Sequence, residues 1–365
     1  MKRMRRRTFL ERGAGIAAGC LFGGRSAAES QKAQRFTTTT KSLERIDAAR
    51  RLTLAENPEG LPPAELNSRV PEITAVELDN TLAAETPGET LRVVAWNIER
   101  GRGWRGAVKL MAEHDALRAP DVLLLSEMDI GMKRSGNLHT TRELAQAMGM
   151  NYAYAVEFLE LPRGKDAAAR QRFAEANPWS CHGNAILARF PLANARMVRF
   201  PGIEKWFGSG EHRLGGRNAV FAEITLGGRP VTLVATHLES GLRDNAARTD
   251  QARFILEELE TYAAGQPVIA GGDLNSFHKA AAIQAFRDAG FCVDECNLLE
   301  QGTTQYTRDG EVRLGGAHID YIMTRGFAPI QNATSPAVVP SVYPPGPEGK
   351  SLSDHAAVAL RVRPA

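Results

Sequence analysis

The stretch that most constrains what this chain can fold into is residues 268–278, VIAGGDLNSFH, an apolar and small-residue run that stops at Asp273 and Asn275. Such a run reads as a buried strand delivering polar groups at its C-terminal end, where sheet-based sites collect. On an extended backbone Asp273 and Asn275, two apart, point to the same face. The pattern recurs. Strand patterns over 91–98, 121–128 and 230–238 bring Asn97, Glu127 and His237 to their ends. Late strands over 317–324 and 356–362 carry Asp320 and follow Asp354 and His355. Further strands are expected over 152–158, 184–190 and 219–226, the last joined to 230–238 by a Gly227-Gly228 hairpin turn. Helices are expected over 104–117, 140–148, 244–264 and 279–289. The long charged connection between 158 and 184 is of a kind that often carries function.

The N-terminus follows other rules. Residues 1–28 place an arginine cluster before a short apolar segment and an A-x-A-like end at 26–28, the pattern of an export signal cleaved after Ala28. Arg6-Arg7-Thr8-Phe9-Leu10 resembles the twin-arginine signal, which implies passage through the Tat translocase as a folded protein and a periplasmic or secreted destination. Lipid anchoring at Cys20 is the minor alternative. Residues 29–90 are polar and Pro-punctuated, with one amphipathic helix pattern over 43–54 and little strand pattern; they read as an extension wrapping a domain at 91–363. The signal holds seven of the 45 basic residues and one of the 42 acidic ones, so the mature chain carries 38 against 41, a net of −3. That balance works against binding a long polyanion, and no apolar run is long enough for a transmembrane helix.

Gathered together, these strand ends offer carboxylates, amides and imidazoles without a thiolate. A hard-oxygen set of this kind suits Mg2+, with Mn2+ as a substitute, over zinc or copper. Such ions commonly bind substrate phosphates, which points to phosphoryl ester hydrolysis. The three mature cysteines fit no zinc spacing; Cys292 and Cys296 either close a small disulfide or stand as buried thiols.

In order, WNIE, LLSEMD, THL, GGDLNS, HIDYIM and SDHAAV resemble the motifs of the endonuclease/exonuclease/phosphatase superfamily over about residues 91–363. The resemblance implies a four-layer α/β/β/α sandwich of two mixed sheets. It implies Glu127 as main metal ligand, with Asn97 and Asp354 completing or bordering the site. Asp273 would orient or deprotonate the attacking water, Asn275 would stabilise the phosphorane, His237 would contact the scissile phosphate, and Asp320 would fix the tautomer of His355. Both Asp273 and His355 stand as candidates for the base. THL, with histidine rather than tyrosine, leans towards the DNase I, sphingomyelinase and phosphatase branches. Asn184, on the strand HGNAILARFPL, is a candidate beside the site. Arg217, with His212 and Arg213, is a candidate grip for a second phosphate or else part of a solvated loop. The expectation is an exported Mg2+-dependent phosphodiesterase acting on a small or lipid-borne phosphoester. A secreted DNA or RNA nuclease comes second, and a non-catalytic binding protein on the same fold third.

Overall fold

Two sheets face each other, and the two-residue alternation of their strands sorts the side chains into three apolar layers. The computed structural model describes residues 32–208, 211–241, 244–309, 311–345 and 349–365. The expected export signal, with Cys20, lies outside the described residues.

One sheet has six strands, in the order Gln34–Phe36, Ala193–Arg199, Asn218–Leu226, Arg229–His237, Val268–Asp273 and Asp320–Arg325. The other is ten-stranded and is centred on Ala357–Pro364, Leu91–Asn97, Val122–Ile130, Cys181–Ala188 and Asn151–Glu160. Both mix parallel and antiparallel pairs: Leu91–Asn97 runs parallel to Val122–Ile130, and Arg229–His237 parallel to Val268–Asp273. Val93, Ala95, Val122, Leu124 and Ile186 of the larger sheet join Val220, Val231, Leu233, Ile269 and Ile322 of the smaller in the layer between the sheets. Their alternates face outward. Val94, Trp96, Leu123 and Leu125 pack with Ala107, Leu110 and Leu144 of the helices Trp104–Glu113 and Thr140–Met148. On the opposite side Val234, Val268, Ala270 and Met323 pack with Ile255, Leu259, Ile283 and Phe286 of the helices Asn245–Tyr262 and Ala281–Asp288. Alternation therefore makes every central strand apolar on both faces, as the near-continuous hydrophobic runs required. The result is the α/β/β/α sandwich.

Three parts differ from the sequence expectation. Residues 32–90 contain three strands, Gln34–Phe36, Thr39–Thr40 and Val76–Asp79, which extend both sheets. These are short strands of two to four residues at the margins of the sheets, too brief to show a period. The long connection after Glu160 holds the helix Ala167–Ala176, capped by Asp166 and tied by Arg170 to Glu56 at 2.7 Å. The strand Ala193–Arg199 was also not anticipated, because Arg196 and Arg199 interrupt its apolar pattern while being buried themselves.

The N-terminal segment is fastened by one buried carboxylate. Glu77 accepts the Leu43 N–H at 3.0 Å, the Tyr152 hydroxyl at 2.6 Å and Arg142 at 2.8 Å, and His139 Nε2 lies 3.0 Å away. Burial alone would raise its pKa, but His139, Tyr152 and the Leu43 amide outweigh burial and hold it at about 2. A depressed acid stabilises the fold above its usual value of 4.5, and that contribution is lost as pH falls towards 2. Glu77→Ala should therefore cost about 3 kcal/mol at pH 6 in urea unfolding, with the gap to the parent protein narrowing steadily below pH 4.5.

Candidate active site

The layer between the sheets changes character at one end. Continuing the inward positions one step beyond the apolar core brings Asn97, Ser126, His237, Asp273 and Asp320 to the same level. Strand register does the aligning: His237 is paired with Asp273 and Asp273 with Asp320 across three adjacent strands. Gly271 and Gly272 explain why the run preceding Asp273 loses its bulk. A Cβ on Gly272, whose φ is 131°, would lie 2.0 Å from the Thr236 carbonyl, and one on Gly271 would lie 2.5 Å from that of Tyr321.

Asp273 is the centre of the cluster. Its Oδ2 accepts from Asn97 Nδ2 at 3.1 Å across the two sheets, with His237 Nε2 at 3.4 Å and His355 Nε2 at 3.7 Å. Its Oδ1 accepts the Asn275 N–H at 2.9 Å. Asn275, in a left-handed conformation with φ 47°, donates its amide to the Leu238 carbonyl at 3.2 Å. His355 Nδ1 is 2.8 Å from Asp320 Oδ2, the carboxylate–imidazole pair expected from the sequence. Ser353 holds this arrangement shut: its hydroxyl donates to the Asn97 carbonyl at 2.6 Å and accepts the His355 N–H at 3.0 Å.

These contacts set the charges. Burial and then repulsion from Asp320 push Asp273 up to about 7. For His355, burial opposes the charge but is outweighed by Asp320 and Asp273, which raise it to about 10. His237 goes the other way. Burial, then Arg217 and His355, hold it well below the usual imidazole value, so it is neutral.

Glu127 is brought to the same end by a defect. In the larger sheet the register slips between Leu125 and Met128, and Glu127 takes φ 63°. Regular alternation would have sent it to the helix side with Leu123 and Leu125; the bulge re-aims the strand, and Asp129 turns inward after it. A second bulge, between Val156 and Phe158, frees Glu157. Its carboxylate lies 3.9 Å from His237 Nδ1 and 3.7 Å from His182 Nε2.

Asp354, Arg217 and Asn184 stand outside the Asp273 cluster. Asp354 is exposed, and its carbonyl accepts from the Gln305 N–H at 2.7 Å. Arg217 is buried rather than presented to a ligand. It bonds Glu157 at 2.8 Å and Ser240 at 3.3 Å, and lies over the rings of Phe158 and Trp206. Arg213 bonds Glu160 at 3.2 Å, and His212 is engaged by the carbonyls of Phe207 and Ala55. Asn184 is fully buried and donates to Asn218 Oδ1 at 2.9 Å. Sequence does not display these partners, which are buried acids for Arg217 and Arg213, Asn218 for Asn184 and backbone carbonyls for His212.

A further set was not foreseen. Asp129 receives both ends of the Arg134 guanidinium at 2.8 Å, Arg134 also bonds Glu160, and His182 Nδ1 lies 3.3 Å from Asp129. Arg100 Nη1 completes the group, 2.7 Å from His182 Nε2 and 3.2 Å from Glu127 Oε2. Asp129 two residues after Glu127 was the available signal; the pairing of Asp129 with His182 across the bulge was not.

Residues 94–355 match the model of the Endonuclease/Exonuclease/phosphatase family. The chain belongs to that family. Phosphoester hydrolysis is its chemistry. Tyrosyl-DNA phosphodiesterase 2 of Danio rerio is 31% identical over 93 residues, 26% of this chain and 25% of that protein, so the match spans about a quarter of the curated relative's length. Among solved structures, an endonuclease/exonuclease/phosphatase from Beutenbergia cavernae superposes with a TM-score of 0.54 at 20% identity, covering 76% of this chain and 72% of that one. The human Nocturnin catalytic domain gives 0.52 at 17%, covering 77% and 97%, and a mannosyl-6-phosphatase from Bacteroides thetaiotaomicron gives 0.52 at 17%, covering 74% and 99%. These likenesses establish the shared fold.

The site fits the divalent ion on which such chemistry generally relies. The Glu127 carboxylate is already presented to a cation, with Arg100 Nη1 at 3.2 Å, and ligand oxygens of Asp273 and Asp320 lie within 4.8 Å of each other. Asp320 Oδ1 and Glu157 Oε2 are buried with no hydrogen-bond partner among the described residues. Oxygen donors with unused lone pairs suit a hard cation.

The Arg217–Glu157 pair gives a test of support against ligand contact. Arg217→Ala leaves a fully buried carboxylate without its partner and should cost about 3–5 kcal/mol of unfolding free energy. Combining Arg217→Met with Glu157→Gln should restore most of that stability in the same chemical unfolding measurement.

Proposed function

We propose that this protein is a Mg2+-dependent phosphodiesterase, with Mn2+ able to substitute, acting on a small or lipid-borne phosphoester. The observation that carries the reading is the convergence of Asn97, His237, His355 and the Asn275 amide on the single carboxylate of Asp273. Glu127 and Asn97 would hold the ion from neighbouring strand ends, with Asp354 at the border of the site. When bound, the ion supplies electrostatic stabilisation of the phosphoryl oxygens and the leaving group.

The side chains divide the remaining work according to their protonation. Asp273 serves as base: its carboxyl loses its proton near neutrality, and Asn97 and the Asn275 amide aim it. His355 cannot serve in that role at neutral pH, because Asp320 and Asp273 keep it an imidazolium. Its Nε2–H is therefore a charged donor for a phosphoryl oxygen. His237, neutral, offers a hydrogen bond to the scissile phosphate, and the Asn275 side chain, distinct from the backbone N–H that holds Asp273, stabilises the crowded phosphorane.

Export by the Tat translocase to the periplasm or medium is proposed from residues 1–28, with a Cys20 lipid anchor as the alternative. The acidic balance of residues 29–365 favours a small substrate over a long nucleic acid. The Danio rerio relative, named as a tyrosyl-DNA phosphodiesterase, favours a second reading, hydrolysis of an aryl phosphodiester at a nucleic-acid end.

Hydrolysis of bis-p-nitrophenyl phosphate tests the first reading. Turnover should require Mg2+ or Mn2+, vanish with EDTA, and fall by at least about 10³-fold in Asp273→Ala. p-Nitrophenylphosphorylcholine and thymidine 5′-p-nitrophenyl phosphate then separate the lipid-borne reading from the nucleic-acid one. The kcat/KM profile should be bell-shaped. Its acid limb, where Asp273 must lose a proton, lies at or below about 7, because a bound cation further favours the carboxylate. Its alkaline limb, where His355 loses its proton, lies at or below about 10, because the same cation disfavours the imidazolium, and should disappear in His355→Gln. A metal-independent rate, or full activity in Asp273→Ala, would refute the proposal.

A further inference from the structure

The turn that follows Asn97 is built against its own preferences. Glu99, Arg100 and Gly101 are consecutive left-handed residues, with φ of 45°, 66° and 65°. Two of the three carry a Cβ, and such backbone persists only where the surroundings over-determine it. Gly101 supplies part of the constraint: a Cβ there would lie 2.5 Å from Thr140 Oγ1. The turn delivers the Arg100 guanidinium onto Glu127, itself left-handed at a bulge. Two strained residues from neighbouring strands thus meet in one ion pair at 3.2 Å.

Behind Arg100 stands a buried scaffold that the proposed chemistry does not use. His182 Nε2 lies 2.7 Å from Arg100 Nη1, and His182 Nδ1 faces Asp129, which Arg134 holds by two bonds. His182 is almost wholly buried, and burial followed by the charge of Arg100 holds it neutral. With Nδ1–H donating to Asp129, Nε2 is left as an acceptor for Arg100. Arg100 therefore has two attachments of different kinds: a carboxylate that a hard metal ion would also seek, and a buried neutral imidazole, to which such an ion is drawn less than to carboxylate oxygen.

We propose that Arg100 is a built-in counter-cation for Glu127, which competes with the divalent ion for that carboxylate and, once the ion binds, serves as a phosphate-binding residue. The inference rests on the metal-dependent reading above. Its physical basis is that two cations on one carboxylate repel, while the His182 attachment keeps the guanidinium beside the site. A guanidinium released from a carboxylate presents planar paired donors that match phosphoryl oxygens. The side chain is 22% exposed, so it stands at the boundary between the buried scaffold and solvent.

The test is equilibrium binding of Mn2+ alone to the full chain, followed by electron paramagnetic resonance of the free ion, for the parent, Glu127→Gln, Arg100→Gln and Arg100→Lys. Arg100→Gln should bind Mn2+ about 10-fold more tightly than the parent, in the usual range of coupling between sites, and Arg100→Lys should fall between them. A gain in affinity cannot come from a misfolded variant. Inorganic phosphate should bind Mn2+-loaded Arg100→Gln about 10-fold more weakly than the loaded parent. Unchanged or weaker Mn2+ binding in Arg100→Gln overturns the competition, and tighter Mn2+ binding with undiminished phosphate affinity overturns the hand-over to phosphate. Parent Mn2+ binding that Glu127→Gln leaves intact would instead overturn the metal assignment on which the inference rests.

Discussion

A carboxylate removed from water has to be matched by donors or it takes up a proton, and the polar end of this sandwich is organised around that requirement at Asp273. Its inward position places it between the sheets, with only 2% of its surface exposed. Asn97 reaches it from the opposite sheet, the Asn275 amide from its own loop, and two imidazoles from either side. The two imidazoles have different charge states, and the difference arises from burial and neighbours rather than from residue type. His355 has Asp320 behind it and is held as a cation, while His237 has Arg217 among its neighbours and is held neutral.

The next tier follows the same rule. Glu157, Asp129 and Glu160 are buried acids, and Arg217, Arg134 and Arg213 are the cations that make their burial tolerable. Removing a single partner from such pairs is far more costly than never having had the pair, so these arginines belong to the rigidity of the site. Bulges at Glu127 and Glu157 break the alternation of the two strands that flank Cys181–Ala188, at the level where the layer turns from apolar to charged. Function is thereby grafted onto a regular scaffold through two local irregularities, leaving the core beneath intact.

Most of the scaffold was legible because strand burial writes itself into composition. Runs such as 122–125 and 268–271, apolar at every position, announced central strands, and the abrupt appearance of Asn97, His237, Asp273 and Asp320 marked where those strands end. Register was not legible, although it is register that places His237, Asp273 and Asp320 side by side. The short strands between residues 34 and 79 are not legible because pairing rather than period defines them. Arg217 stands open in the sequence between phosphate grip and solvated loop for a related reason: the buried Glu157 that it bonds is not visible there. Arg100 and His182 were invisible as a pair, since 82 residues separate them and only a left-handed turn brings them together.

The central claim is that Asp320 and Asp273 hold His355 as an imidazolium at neutral pH, leaving Asp273 as the base. The most direct measurement is a 15N-resolved NMR titration of the His355 ring in the metal-free protein, assigned through His355→Gln. Persistence of the doubly protonated ring through neutrality, with deprotonation only near pH 10, is the predicted result. Titration of His355 at or below the ordinary histidine value of 6.5 would contradict the account and make the imidazole the base instead.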